Sequence, residues 1–537
     1  MSSFSSPELI TNRFLGFLIW QSITTTLIYL LTKTLISFPT PHFSLLTPFT
    51  YLTFTLSHLL FSYFLSTISS PQPTPPASIT ELGASLVRFI INSVIGGTRS
   101  PGGSTQSFRV RVKTSLGFVL LTISGGLSGG IAVICLCGDG EDLVGLGLRG
   151  FVFGGIYGVH YVCCRRWVLV FPIIQRPPFY SFKMELPSAI RNALKLSSLS
   201  YLCSAVVVIF LPVQFKSHST IWKFIAEQVI FYVGSFSVCL CWELSHHLHQ
   251  VLHTKRCIFA PPKGSAAAET NPSEPLLATL EESTPKSLLQ YLAYLDLCMT
   301  CESNVDTWRR AAFFEETGET YRRVIALCLR PLEHMTSKLV EGLEGSSEEK
   351  TIQLSQQLRS PLDMVNELKL DEAFNDVQLC VWCARTSSSL TARSRKDDRF
   401  GVAQLSGCNA SVISTLISCL IAVEACMGKK THLQNSQFMG PTNIKWAPLN
   451  AGKRDSPPPS SILSKRRGGL LHGKAYAMAD VLRTSIYMIV SVFYDEMIRS
   501  TKAGNLEKDW IADSKPLYGT RDLLAQKLSQ FLDFRAS

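Results

Sequence analysis

Apolar residues fall into two patterns along this chain. In the first half, runs of roughly 20 residues, the length a helix needs to cross a bilayer core, recur at 14–37, 43–68, 116–137, 143–164, 196–215 and 224–244. In the second half the apolar positions return at helical spacing without forming long runs, over 287–301, 320–343, 352–370, 376–390, 411–427, 475–498 and 521–534. No alternating strand pattern competes. The pattern predicts an all-α chain with a polytopic six-helix transmembrane half, 1–258, and a soluble all-helical cytoplasmic domain, 287–537. Between them "APPKGSAAAETNPSEP" predicts a flexible polar tether, 259–286.

Some elements need individual readings. The first run is too long for a cleaved signal peptide and no small-x-small site follows it, so it is expected to remain as a signal anchor. Residues 79–95, with Glu81 and Arg88, read as an amphipathic helix lying at the interface. Pro331 should kink or break the helix over 320–343, because it removes an N–H and crowds the preceding turn. The stretch 411–427 is apolar but short and carries Glu424, so it reads as a core helix.

Orientation follows from cations near the span ends. Arg88, Arg99, Arg109, Arg111 and Lys113 lie between spans two and three, and Arg165, Arg166, Arg176, Lys183, Arg191 and Lys195 between spans four and five. The alternate loops are poor in cations, and Lys33 and Arg149 near their ends can snorkel to the interface. Both termini are therefore expected on the cytoplasmic side.

Composition agrees with this division. The chain has 46% hydrophobic and 17% charged residues and a mean hydropathy of +0.19, too apolar for an ordinary soluble protein. Its sixteen cysteines are scattered over spans and cytoplasmic segments, which argues against a disulfide framework. The sequon Asn409-Ala410-Ser411 falls on the cytoplasmic side and should stay unmodified. The net charge of +11 suits anionic lipid headgroups, and no nucleic-acid motif accompanies it.

Three features could carry chemistry. Gly125, Gly126, Gly129 and Gly130 in span three and Gly150, Gly154 and Gly158 in span four make small-xxx-small pairs, which let two helices approach closely in lipid. The competing reading, a phosphate-cradling loop, lacks a preceding strand and a following Lys-Ser/Thr. His246, His247, His249 and His253 follow span six with Glu243 close by. They could hold a metal locally, or mark the end of a helix leaving the membrane with polar ring tips reaching water. The second reading is favoured, because the other histidines are dispersed singly. Cys298/Cys301 and Cys380/Cys383 are spaced too far apart for a paired zinc site and sit in helical patterns, where Cys packs as a small apolar residue. No catalytic, cofactor or metal residue is assigned.

The segments "LLQYLAYLDLCMTC", "TWRRAAFFEETGETYRRVIALCLRPLEHMTSKL", "DVQLCVWCARTSSSLTARSRKDDRFGVAQ" and "LAQKLSQFLDF" resemble the cytoplasmic domain of the nuclear-division-cycle transmembrane nucleoporin family, with "DRFGVAQ" at 398–404 the most specific piece. The resemblance implies a non-enzymatic membrane nucleoporin. Such a protein anchors the nuclear pore complex in the nuclear envelope and recruits soluble scaffold nucleoporins of the inner ring and membrane-proximal pore. It thereby supports pore assembly and the transport of protein and mRNA. Residence in the endoplasmic reticulum before assembly, contact with nuclear-envelope lipids and no direct nucleic-acid partner go with that implication. The alternative is a polytopic endoplasmic-reticulum transporter or lipid-modifying enzyme, which would need more intramembrane ionisable residues than His58 and His160.

Partner binding is placed at Arg399 and Phe400, in a polar connection where a charge and an aromatic can form an exposed anchor; Phe400 could instead be tucked inward to brace the loop. The basic insertion, about 431–469, is expected to be disordered. Its "KRDSPPPSSILSKRR" reads either as a two-part nuclear import signal or as a loop hovering near anionic lipid, with Ser456 a candidate phosphorylation site.

Overall fold

The computed structural model describes residues 6–36, 47–74, 76–78, 80–83, 106–138, 143–210, 221–262, 264–344, 369–434 and 469–536. Every regular element among them is a helix. The chain forms two compact units, Met1–Arg256 with Lys286–Leu289, and Cys257–Pro285 with Gln290–Ser537.

The first unit contains α1 (Ser6–Ile36), α2 (Thr47–Ile68), α3 (Gln106–Cys137), α4 (Leu143–Cys163), α5 (Pro178–Phe210) and α6 (Ile221–Thr254). The α3 helix packs against α2, α4 and α6, and α6 also takes α1 and α5. At the core Trp242 lies 4.7 Å from the ring centre of Tyr157 and 5.7 Å from Phe153, with Phe61 at 5.3 Å. In α1 the β-branched run "SITTTLI" would form a helix poorly in water. Here the Thr24, Thr25 and Thr26 hydroxyls return to carbonyls one turn back, so these three hydroxyls are paired within the helix.

Apolar side chains also cover the outside of this unit. Ile19, Leu27, Leu31 and Leu35 on α1 and Leu116, Val119, Ile123 and Leu127 on α3 are exposed, a surface that suits lipid and not water. Seven helical segments among the described residues are long and apolar enough to cross a membrane: Glu8–Ile36, Pro48–Ile68, Arg109–Cys137, Leu143–Cys163, Ile221–Thr254, Cys408–Gly428 and Gly473–Val492. Five of these coincide with expected spans. The expected fifth span lies in α5, which ends at the edge of the described residues and is not among the seven. The last two lie in the second unit.

That unit contains α7 (Glu274–Glu282), α8 (Leu288–Glu302) from Gln290 onward, α9 (Glu319–Glu344), α10 (Val377–Asp397), α11 (Cys408–Gln434), α12 (Gly469–Val492), α13 (Tyr494–Lys502) and α14 (Arg521–Ala536). The α11 helix packs against α9, α12 and α14, and α10 against α9 and α12. Two expectations are corrected here. The stretch expected as a flexible tether carries two helices and buries Phe259, Leu276, Leu277 and Leu280 in this unit, while Arg323 of α9 binds both Glu274 and Glu281. Its prolines and small residues cap and start helices and do not simply loosen the chain. Of the expected kink or break at Pro331, the break does not occur, since α9 continues through it. The Leu327 carbonyl, deprived of the N–H one turn on, instead accepts the Tyr294 hydroxyl at 3.0 Å.

Much of the expected interfacial helix over 79–95, most of the helix over 352–370 and nearly all of the basic insertion lie outside the described residues.

Candidate functional site

The glycines of α3 and α4 form one seam. A Cβ on Gly125 would stand 3.0 Å from the Gly154 carbonyl oxygen, one on Gly150 2.7 Å from that of Gly129, one on Gly130 2.9 Å from that of Gly147, and one on Gly158 2.9 Å from Thr122 Cα. A Cβ on Gly154 would collide with the Gly125 carbonyl, whereas Gly155, one residue on, faces open space. Gly126 meets the Phe151 ring instead of backbone. Two backbones in contact leave no room for a bound phosphate between them.

Beside this seam lies a buried ionic cluster that sequence reasoning missed. Glu243, fully buried inside the expected sixth span, accepts both terminal nitrogens of Arg166, with Nη2 at 2.8 Å from Oε2, and the Tyr157 hydroxyl at 2.9 Å. The Tyr161 hydroxyl lies 3.1 Å from His246 Nδ1. A lone carboxylate in an apolar helix demands a cation, and that demand was the available signal. Arg149 is a further correction. It does not snorkel outward but is half-buried, donates to Gln228 at 2.9 Å and sits 3.8 Å over the Phe231 ring.

The histidine stretch remains helical to Thr254. His246, His249 and His253 are buried and only His247 is half-exposed, so three of the four polar tips do not reach water. The reason is α1. Phe17 packs 5.1 Å from His249, His249 stacks on His253 at 3.9 Å, and Arg13 donates to the carbonyls of Leu252, His253 and Lys255. A cation there satisfies the orphan carbonyls of a helix C-terminus and complements its dipole. Among the described residues no three His, Cys, Asp or Glu side chains group to hold a metal ion.

In the second unit, ion pairs lock α8 and its neighbours to α10. Asp296 and Arg309, both buried, pair at 2.7 Å; Asp296 also accepts the Phe259 N–H at 2.9 Å, and Arg309 donates to the Phe259 carbonyl at 3.2 Å. Glu302 binds Arg385 at 2.7 and 2.6 Å, and Arg310 binds Asp397 at 2.7 Å. The Arg310–Asp397 pair holds the C-terminal end of α10, from which the "DRFG" loop departs. Asp398 accepts the Phe400 N–H at 3.1 Å and the Ala403 N–H at 2.8 Å, and Gly401 turns the chain with φ +70°. Arg399 and Phe400 therefore stand at the tip of a braced loop, Phe400 53% exposed. The sequon residue Asn409 is buried and faces the Tyr321 hydroxyl at 3.4 Å.

Cys298, Cys301, Cys380 and Cys383 are all buried in this unit. Burial pushes the Cys298 thiol from an ordinary value near 9 up to about 12. Folding favours the neutral thiol, so its contribution is fully present below pH about 9 and is lost as pH rises towards about 12. The thermal midpoint of the chain in detergent is expected to fall between about pH 8 and about pH 10.5, and to fall less in Cys298→Val. Equal falls in the two proteins would contradict this linkage.

Residues 141–375 match the family model described as Nucleoporin protein Ndc1-Nup. No curated protein matches the chain. The matched segment takes in Gly150, Gly154, Gly158, the Arg166–Glu243 cluster, the histidines and the Asp296–Arg309 pair, while Arg399 and Phe400 lie beyond it. That segment is similar to the Ndc1-Nup nucleoporins, the nuclear-division-cycle transmembrane nucleoporin family that the sequence resembles.

Proposed function

We propose that this protein anchors nuclear pore complexes in the nuclear envelope through its first unit and recruits soluble scaffold nucleoporins of the inner ring and membrane-proximal pore through its second. The observation that carries the reading is a family-matched segment joining a bundle clad in exposed apolar side chains to a helical unit braced by ion pairs. In this reading the first unit supplies six spans, both termini face the cytoplasmic or pore side, and the chain resides in the endoplasmic reticulum before assembly. The two apolar helices of the second unit, α11 and α12, then serve as its core. Glu424 on α11 supports this by binding Arg483 and Lys527, each at 2.9 Å, a network suited to water. The role is structural, and the positive net charge serves envelope lipids. The transporter or lipid-modifying alternative gains nothing from the family match.

A tagged full-length chain should appear as a punctate nuclear rim and co-purify scaffold nucleoporins; a purely reticular pattern would overturn the proposal. Protease added to sealed microsomes should remove tags from both termini, and protection of one end alone would refute an even number of spans. Replacing Arg399 and Phe400 together by Ala should weaken nucleoporin capture by about 2 kcal/mol, roughly 30-fold, the scale of a small hot spot. Thermal stability should be unchanged, because both side chains are exposed. Undiminished capture would remove this loop from the interface.

A further inference from the structure

All sixteen cysteines lie within the described residues, and only two, Cys163 and Cys164, are exposed. They are adjacent, and they sit where the candidate span Leu143–Cys163 ends. Val144, Leu148, Phe151 and Val159 leave an exposed apolar stripe along α4, and Cys163, one turn beyond Val159, continues it. The next residues are Arg165, exposed and with φ +53°, and Arg166, which is tied to Glu243. The chain reverses there through hydrogen bonds from the Arg165 N–H to the Val162 carbonyl and from the Arg166 N–H to the Tyr161 carbonyl, leaving both thiols outside the bundle. Beyond the reversal Val170, Ile173 and Ile174 are exposed. They lie on a connection pinned by Gln250, whose side chain accepts from the Val170 N–H and donates to the Val168 carbonyl. Two thiols at a membrane boundary, with cations beside them and apolar side chains on either side, match the chemistry of a reversible lipid anchor.

From this geometry we propose that Cys163 and Cys164 are S-acylated by long-chain acyl groups. The proposal rests on the reading of the first unit as membrane-embedded with the connection after α4 on the cytoplasmic side. The acyl donor is a long-chain acyl thioester such as acyl-coenzyme A, handed on by a membrane acyltransferase. The thiol sulfur attacks the thioester carbonyl carbon, the new S–C bond forms as the bond to the coenzyme sulfur breaks, and the departing thiolate takes up the proton released by the cysteine. No electrons are exchanged. His160 lies one turn before Cys164, with Nε2 3.4 Å from its Sγ, and is placed to accept that proton in passing. Attached chains would lie along the outward face of α4 and beside Val170 and Ile173, adding apolar contact with the leaflet where the bundle ends.

The test is a thioester-exchange assay on the full chain expressed in its own cell type. Free thiols are blocked, thioesters are cleaved with neutral hydroxylamine, and each released thiol receives one mass tag. The wild type should gain up to two tags that depend on hydroxylamine. Cys163→Ser/Cys164→Ser should lose them all, Cys257→Ser/Cys408→Ser should keep them, and His160→Ala should lower tagging of Cys164 more than of Cys163. Absence of hydroxylamine-dependent tags in the wild type would overturn the proposal, as would tags that survive the Cys163→Ser/Cys164→Ser change or that appear with reductant alone. Imaging the same cells separates the two readings. An untagged protein at a punctate rim rejects acylation and leaves the anchor function intact, whereas a tagged protein confined to a reticular pattern does the reverse.

Discussion

Gly154→Leu is expected to disrupt the first unit, while Gly155→Ala, one residue away, is expected to be nearly silent. The two positions differ in what a side chain would meet: at Gly154 the Gly125 carbonyl oxygen, at Gly155 nothing within 4 Å. Relief of the clash requires α3 and α4 to separate. Separation would also open the contacts at Gly129–Gly150 and Gly130–Gly147, because one seam carries all of them. Overpacking of this kind costs about 3 kcal/mol or more, in a setting where close packing supplies much of the association between helices in lipid. Replacing Gly155 should if anything favour the helix, by about 0.5 kcal/mol. Thermal unfolding of the purified chain in detergent, monitored by tryptophan fluorescence, would show a large loss for Gly154→Leu alone. Equal behaviour of the two variants would mean that the seam is not closely packed.

Asp296→Ala should be the most damaging single truncation in the second unit. It strands Arg309, only 2% exposed, and removes the acceptor of the Phe259 N–H. Removing one partner of a buried ion pair costs about 3–5 kcal/mol, a large share of the roughly 5–15 kcal/mol that stabilises a typical domain. The double replacement Asp296→Leu/Arg309→Met should recover most of the loss, since no uncompensated charge remains. Denaturant unfolding of the single and double variants separates these outcomes. A loss below about 1 kcal/mol for Asp296→Ala would place the pair among ordinary surface contacts.

Several features were legible because they depend on neighbours along the chain. Run length marked five of the seven segments that can cross a membrane, and helical period marked amphipathic elements that follow them. The same local reading failed where a partner comes from a distance. Pro331 reads as a breaker until Tyr294, 33 residues earlier, supplies the missing donor. The histidines read as a wet helix end until Phe17 and Arg13 of α1 cover them. The proline-bearing stretch before α8 reads as a tether until Arg323 and the core of the second unit claim it.

By itself the sequence determined that this protein is helical throughout its described elements, with an apolar first half and an amphipathic second. Hydrophobic period and run length are properties of consecutive residues, and the cost of leaving backbone unpaired in an apolar medium permits few other outcomes. Only the tertiary structure decided that Glu243 belongs to Arg166, 77 residues away, that Asp296 holds Arg309 and the Phe259 backbone, and that two cysteines of sixteen face outward. Those pairings and exposures depend on which helix faces come together in space, and nothing in the local period of the chain specifies that choice.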